Sequence, residues 1–165
     1  MTQAKTPKYV VHFRRRREGV TNYAKRLGLI KGATTRMVVR KSNKSVLVQF
    51  VDFDPKGDLT RLSVTSQKLS KDFSWPSKRN TLTAYLTGLL AGKMAQKKKI
   101  SEFILDMGMI TPSKGSIVFA ALKGAVDAGL KTNYQESKIA MDKISKPAET
   151  IAATFDKVKK QIMGM

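Results

Sequence analysis

The sequence predicts an α/β sandwich built on a small mixed sheet. Residues 36–65 hold three short runs rich in Val, Leu and Phe, separated by two turn sequences. Residues 81–96 then space their apolar side chains as a helix does. A short apolar run at 103–106 and a second helical stretch at 117–128 complete the pattern. Meander, helix, strand, helix is the order of a sheet with helices packed on it, and its helix–strand–helix half suggests helices on both faces.

Taken in order, residues 21–29 predict a short helix with Thr21 as N-cap and Gly28 or Gly32 near its end. Residues 36–41 are partly β-branched and strand-like, and Ser42-Asn43-Lys44 is a turn. A second strand spans 45–53, with apolar residues on both faces, which predicts that both faces are covered. Asp54-Pro55-Lys56-Gly57-Asp58 is a turn composition, and 59–65 is a third strand antiparallel to the second. A short helix over 66–71 is broken by Ser74-Trp75-Pro76-Ser77. In the first long helix Leu82, Tyr85, Leu86 and Leu89 form one stripe; Ala84, Gly88, Ala91 and Ala95 form another, small enough for close backbone approach. Gly129 closes the second long helix, as a glycine just past a helix does. Two more helices are expected, over 137–144 and 147–163; in the latter, Ile151, Phe155, Val158 and Ile162 make an apolar stripe expected to pack on the core, or else to dock a neighbour.

Charge bounds the function. The 165 residues carry 32 Lys and Arg against 12 Asp and Glu, a net charge of +20. A folded domain this basic repels itself unless an anion neutralises it, and the commonest such anion is a nucleic-acid backbone. Apolar residues make up 41%, enough for a real core. With no cysteine, disulfides and Cys-rich zinc sites are excluded. The single histidine, His12, builds no histidine-based metal site and no Ser-His-Asp triad alone. The chain opens polar and basic, no run approaches the ~20 apolar residues of a membrane span, and a cytosolic protein with no membrane partner is expected.

The charge divides the chain into a basic arm (1–34), an α/β core (35–131) and a helical tail (132–165). The arm contains Arg14, Arg15, Arg16 and Arg17 in succession. Four adjacent arginines splay around any regular backbone, and guanidinium groups pair bidentately with phosphate oxygens, so the run is expected to be wrapped by phosphates. Tyr9, Phe13 and Tyr23 are spaced through the arm, to stack on unpaired bases or to pin it to the core. Free of RNA, the arm is expected to be mobile. Arg40, Lys41, Asn43 and Lys44 sit at the tip of the first predicted hairpin and project donors away from the sheet. Lys56 and Arg61 flank the next turn, whereas Lys97, Lys98 and Lys99 close a helix where cations are stabilised anyway.

Five motifs together resemble a known family. Phe13-Arg14-Arg15-Arg16-Arg17-Glu18-Gly19 followed by Thr21-Asn22-Tyr23 is similar to its basic arm. Arg40-Lys41-Ser42-Asn43-Lys44 is similar to its first hairpin, and Val51-Asp52-Phe53-Asp54-Pro55-Lys56-Gly57-Asp58 to its second turn. Ala84-Tyr85-Leu86-Thr87-Gly88-Leu89-Leu90-Ala91-Gly92-Lys93 is similar to its first long helix. Gly115-Ser116, Val118-Phe119-Ala120-Ala121-Leu122-Lys123-Gly124-Ala125 and Asp127-Ala128-Gly129 are similar to its second. The family is that of the large-subunit ribosomal protein L-eighteen in its archaeal form, whose eukaryotic relative is called L-five; the resemblance covers about residues 8–130. The chain departs from the pattern at Ile117, where relatives usually carry arginine, at Met109-Ile110-Thr111, which lacks a His-Arg pair, and in the tail from Lys131.

The resemblance implies a three-layer α/β/α sandwich of ribonuclease-H-like layout. It implies a structural, non-enzymatic protein without cofactor or metal, a monomer within the ribosome. Its expected partners are 5S rRNA, 23S rRNA and neighbouring large-subunit proteins of the central protuberance. The residues expected to touch RNA are Arg14, Arg15, Arg16, Arg17, Tyr23, Arg26, Arg40, Lys41, Ser42, Asn43, Lys44, Lys56, Arg61 and Lys93. Two other readings compete. Asp52, Asp54 and Asp106 at strand ends suggest a metal-dependent nuclease of the same layout. The charge alone suits a non-ribosomal nucleic-acid binder.

Overall fold

The structure, a computed structural model, describes residues 7–76 and 79–165. It is an α/β sandwich around a four-stranded mixed sheet of order β3-β2-β1-β4. Strands β1 (Arg36–Lys41), β2 (Val46–Asp52) and β3 (Leu59–Thr65) form the expected antiparallel meander, and the short β4 (Ile104–Asp106) joins β1 in parallel. Met37, Val39, Val48, Phe50, Leu62 and Val64 face one side and are buried. The other side carries Arg36, Val38, Arg40 and Asp106. The apolar residues of β2 lie on both faces. Phe50 lies on the Met37 side and Val51 on the Arg36 side, and both are buried, so both faces are covered here; the register shifts between them, leaving Arg61 of β3 unpaired.

Both long helices lie on the Met37 side. Helix α4 (Thr81–Lys97) packs on β2 and β3, and α5 (Ile117–Asp127) packs on β1 and along α4. Their side-by-side placement differs from the expectation that the helix–strand–helix half covers both faces. The small-residue stripe explains it. A Cβ at Gly88 would sit 2.0 Å from the carbonyl oxygen of Ala121, and one at Gly124 would sit 2.1 Å from that of Tyr85. The backbones of α4 and α5 touch, and no layer fits between them. The third layer comes from the arm instead, as helix α2 (Tyr23–Lys31) lies against the opposite side of the sheet.

Local chemistry corrects several boundaries. Asn22, not Thr21, caps α2, accepting from the Lys25 amide at 3.0 Å; the Thr21 hydroxyl is taken by Arg15 Nε at 2.8 Å. Helix α3 (Ser66–Phe73) ends where Ser74 turns left-handed at φ 53, and Trp75 then plugs the core with its Nε1 donating to Thr83 Oγ1 at 2.8 Å. Ser77, the last residue of that predicted break, lies outside the described residues. The helix expected over 137–144 is a 3-10 turn (Glu136–Lys138) followed by α6 (Met141–Ser145). The Lys138 carbonyl accepts from the Gly115 amide at 2.9 Å, so it is unavailable to continue a helix.

The last helix, α7 (Glu149–Met163), packs on α4. Phe155, Val158 and Ile162 are buried, and the Phe155 ring lies 6.2 Å from Trp75 and 5.8 Å from Tyr85. The tail stripe therefore packs on the core. Tyr85 donates to Asp127 at 2.8 Å, and Lys123 pairs with the same carboxylate at 2.9 Å. Burial, then the Asp127 hydrogen bond and charge, push the Tyr85 phenol far above its ordinary range.

The α4–α5 contact sets the stability of this core. Gly88→Ala is expected to force the two helices apart and cost roughly 1–3 kcal/mol or more, as overpacking does. Chemical denaturation of wild type and variant measures the loss.

Candidate nucleic-acid interface

The arm begins with α1 (Arg14–Arg17), a single helical turn whose four arginines are all exposed. They splay around that turn, and Arg14 has Glu18 within 3.7 Å. The Phe13 and Tyr23 rings meet at 5.7 Å, holding α1 against the start of α2; Phe13 stays 76% exposed and Tyr23 36%. The arm is fastened further. Lys25 Nζ donates to the Gly108 carbonyl at 3.2 Å, and Arg26 donates twice to Asp58, at 2.8 and 2.9 Å. These contacts tie α2 to the loop after β4 and to the turn before β3.

Asp58 also accepts from Arg36, at 2.6 Å. Arg36 is only 2% exposed, and its other nitrogen reaches Asp106 at 3.3 Å. The carboxylate of Asp106 lies 3.7 Å from Arg40 as well and accepts from the Gly108 amide at 2.8 Å. The result is a chain of charges, Arg26–Asp58–Arg36–Asp106–Arg40, running from the arm across one face of the sheet to the first hairpin. Burial alone would raise the Asp58 pKa; the hydrogen bonds and positive charges of Arg36 and Arg26 outweigh it and hold the carboxyl below its ordinary value.

The other residues expected at the interface fall into three groups. Lys41, Asn43 and Lys44 project from the exposed tip of the first hairpin, while Ser42 works within the turn, its hydroxyl accepting from the Ser45 amide at 2.9 Å. Lys56 sits exposed on the next turn, where Asp54 accepts from its amide at 2.9 Å, and Arg61 pairs with Asp52 at 3.3 Å. Lys93 is half-buried on α4, apart from both. Sequence reasoning missed Arg36, Lys25 and Asp58. An arginine directly before the apolar run Met37-Val38-Val39 was the available signal for Arg36; nothing in the sequence marked its partners.

An open groove of about 790 Å³ lies between α2, β1 and the loop after β4. Arg15, Lys25, Arg26, Arg40 and Lys41 line it, together with Val20, Tyr23, Leu29, Met107, Met109 and Ile110.

The carboxylates of the nuclease reading are engaged elsewhere. Asp52 accepts from Thr35 at 2.6 Å and pairs with Arg61, Asp54 caps its own turn, and Asp106 binds Arg36. Among the described residues no three His, Asp or Glu side chains gather as a metal site, and no helix is long and apolar enough to cross a membrane.

The Asp58 pairing carries a pH signature. A depressed carboxyl pKa stabilises the fold above the unfolded value of about 4, and that contribution is lost as pH falls through the folded value. Asp58→Asn is expected to destabilise at pH 7 by part of the roughly 3–5 kcal/mol that breaking a buried pair costs, since Asp58 is 24% exposed. The gap between variant and wild type should narrow below about pH 4, which denaturant titrations at both pH values would read.

Comparison with known proteins agrees with this architecture. Residues 7–102 and 92–135 match the family described as ribosomal large subunit proteins 60S L5 and 50S L18. The large ribosomal subunit protein uL18 of Saccharolobus islandicus is 45% identical over 163 residues, covering 98% of this chain and 82% of that protein. Its counterpart in Saccharolobus solfataricus is 45% identical over 159 residues, covering 96% of this chain and 79% of that protein. Both alignments run far into the tail, beyond the residues 8–130 that carry the motif resemblance. The chain belongs to the family of ribosomal large-subunit proteins 60S L5 and 50S L18.

Proposed function

We propose that this chain binds 5S rRNA and helps attach it to 23S rRNA in the central protuberance of the large ribosomal subunit. Its role is structural rather than catalytic, as befits a ribosomal family. The observation that carries the RNA contact is the exposed arginine turn, Arg14 to Arg17, set near a second cationic projection at Lys41 and Lys44 on a chain of net charge +20.

The mechanism is electrostatic docking on a rigid frame. Each phosphate paired with an arginine or lysine releases condensed counterions, and that release supplies most of the affinity. The sheet fixes the distance between the arm and the hairpin tip, so cation spacing becomes selectivity for RNA shape. Arg26 and Arg61 already hold carboxylates and contribute mainly to that spacing, whereas Arg14 to Arg17, Lys41, Lys44 and Lys56 are exposed for phosphate.

A salt-titrated binding assay with matched 5S rRNA, and with tRNA and duplex DNA as competitors, tests this. With ~6–10 phosphates neutralised, affinity should fall ~10³–10⁵-fold between about 50 and 200 mM salt. Replacing Arg14 to Arg17 with alanine should weaken binding and flatten the salt dependence, by about one unit of slope per lost contact. Equal affinity for all three nucleic acids, or an unchanged slope in the arm variant, would contradict the proposal.

A further inference from the structure

The groove between α2, β1 and the loop after β4 has a lining that phosphate contacts do not explain. Val20, Leu29, Met107 and Ile110 present apolar surface there, beside the cations Arg15 and Lys41. A duplex shows a protein mainly phosphate and sugar, which gain nothing from an apolar wall. An unpaired nucleotide has both an apolar face to bury and a phosphate to pair. We propose that this groove holds an unpaired RNA base, stacked between protein surfaces while its phosphates rest on the cationic rim. The inference rests on the RNA-binding reading above and adds which part of the RNA is read.

Two flat groups stand in the lining. One is the Tyr23 ring, braced by Phe13. The other is the Arg40 guanidinium, donating to the carbonyls of Val39 at 3.1 Å and Asp106 at 3.3 Å. Its plane lies close against Gly108; a Cβ there would meet the guanidinium carbon at 3.0 Å, and φ is +62°. Gly108 thus leaves the space that the guanidinium occupies. Arg40 remains 44% exposed, available to stack on a base as guanidinium planes do. Asp106 is the lone carboxylate in the lining among the described residues, and Arg36 together with the Gly108 amide occupies its oxygens, which limits repulsion of a nucleotide. The volume of about 790 Å³ falls within the roughly 300–1,000 Å³ of sites that hold small ligands.

Methionine methyl NMR on the full chain tests the proposal, because Met107 and Met109 both line the groove. The probes are a six-nucleotide single-stranded oligoribonucleotide and an RNA duplex of matched phosphate count. The oligonucleotide should shift both methyl signals and the duplex should leave them in place. Tyr23→Leu should weaken the oligonucleotide roughly 5- to 150-fold, the usual range for losing one base stack, with the salt slope unchanged. Tyr23→Phe, which keeps the ring, should bind as wild type does, and Arg40→Lys, which keeps the charge but not the plane, should bind more weakly with the salt slope unchanged. Equal affinity for both probes with silent methyl signals, while 5S rRNA still binds tightly, would overturn the groove and leave the ribosomal reading standing. Loss of 5S rRNA binding as well would overturn both.

Discussion

One buried cation organises the functional side of this protein. Arg36 enters the sheet at the start of β1, where a strand normally buries an apolar side chain, and is 2% exposed. Burying an ion costs several kcal/mol unless partners compensate. Here Asp58 and Asp106 compensate, at 2.6 and 3.3 Å, although Arg36 Nε is buried without a hydrogen-bond partner among the described residues. Well-packed apolar side chains often fill such a space with no loss of stability. What the ion pairs secure is geometry: Asp58 is shared with Arg26, and Asp106 with Arg40. Helix α2, the turn before β3, β1 and β4 are thereby held in one register.

That network also explains where the acidic residues go. A chain of net charge +20 has few carboxylates to place. Asp52, Asp58, Asp106 and Asp127 each lie in an ion pair that joins two elements or braces a helix. These four of the twelve carboxylates brace the frame, while Arg14 to Arg17 and Lys41 to Lys44 face outward. The frame is stiff because α4 and α5 meet backbone to backbone at Gly88 and Gly124. A stiff frame lets a pattern of cations discriminate among RNA shapes.

Much of the fold was legible because it depends on period and turn chemistry, which are local. The meander, both long helices and the buried stripe of α7 follow from the spacing of Val, Leu and Phe and from Asn43, Pro55 and Gly57 at the turns. The small-residue stripe announced a close helix contact, although not that α5 would be the partner on the same face. The site was legible in part. Exposed arginines in succession need no tertiary context to be recognised. The pairing of Arg26 with Asp58, 32 residues away, and of Arg36 with Asp106, 70 away, depends on the folded topology. Composition made Asp106 look available to a metal ion; the fold placed a guanidinium against it. The groove escaped notice for the same reason, since Tyr23, Arg40 and Met107 come from three separate elements.

The Arg26–Asp58–Arg36 relay fastens α2 to the core of the RNA-free chain. Amide hydrogen exchange of the RNA-free chain, compared between wild type and Asp58→Asn, tests it directly. Helix α2 should be protected in wild type and lose that protection in the variant, while α4 and α5 keep theirs. Equal protection of α2 in the two proteins would show that the relay does not hold the arm.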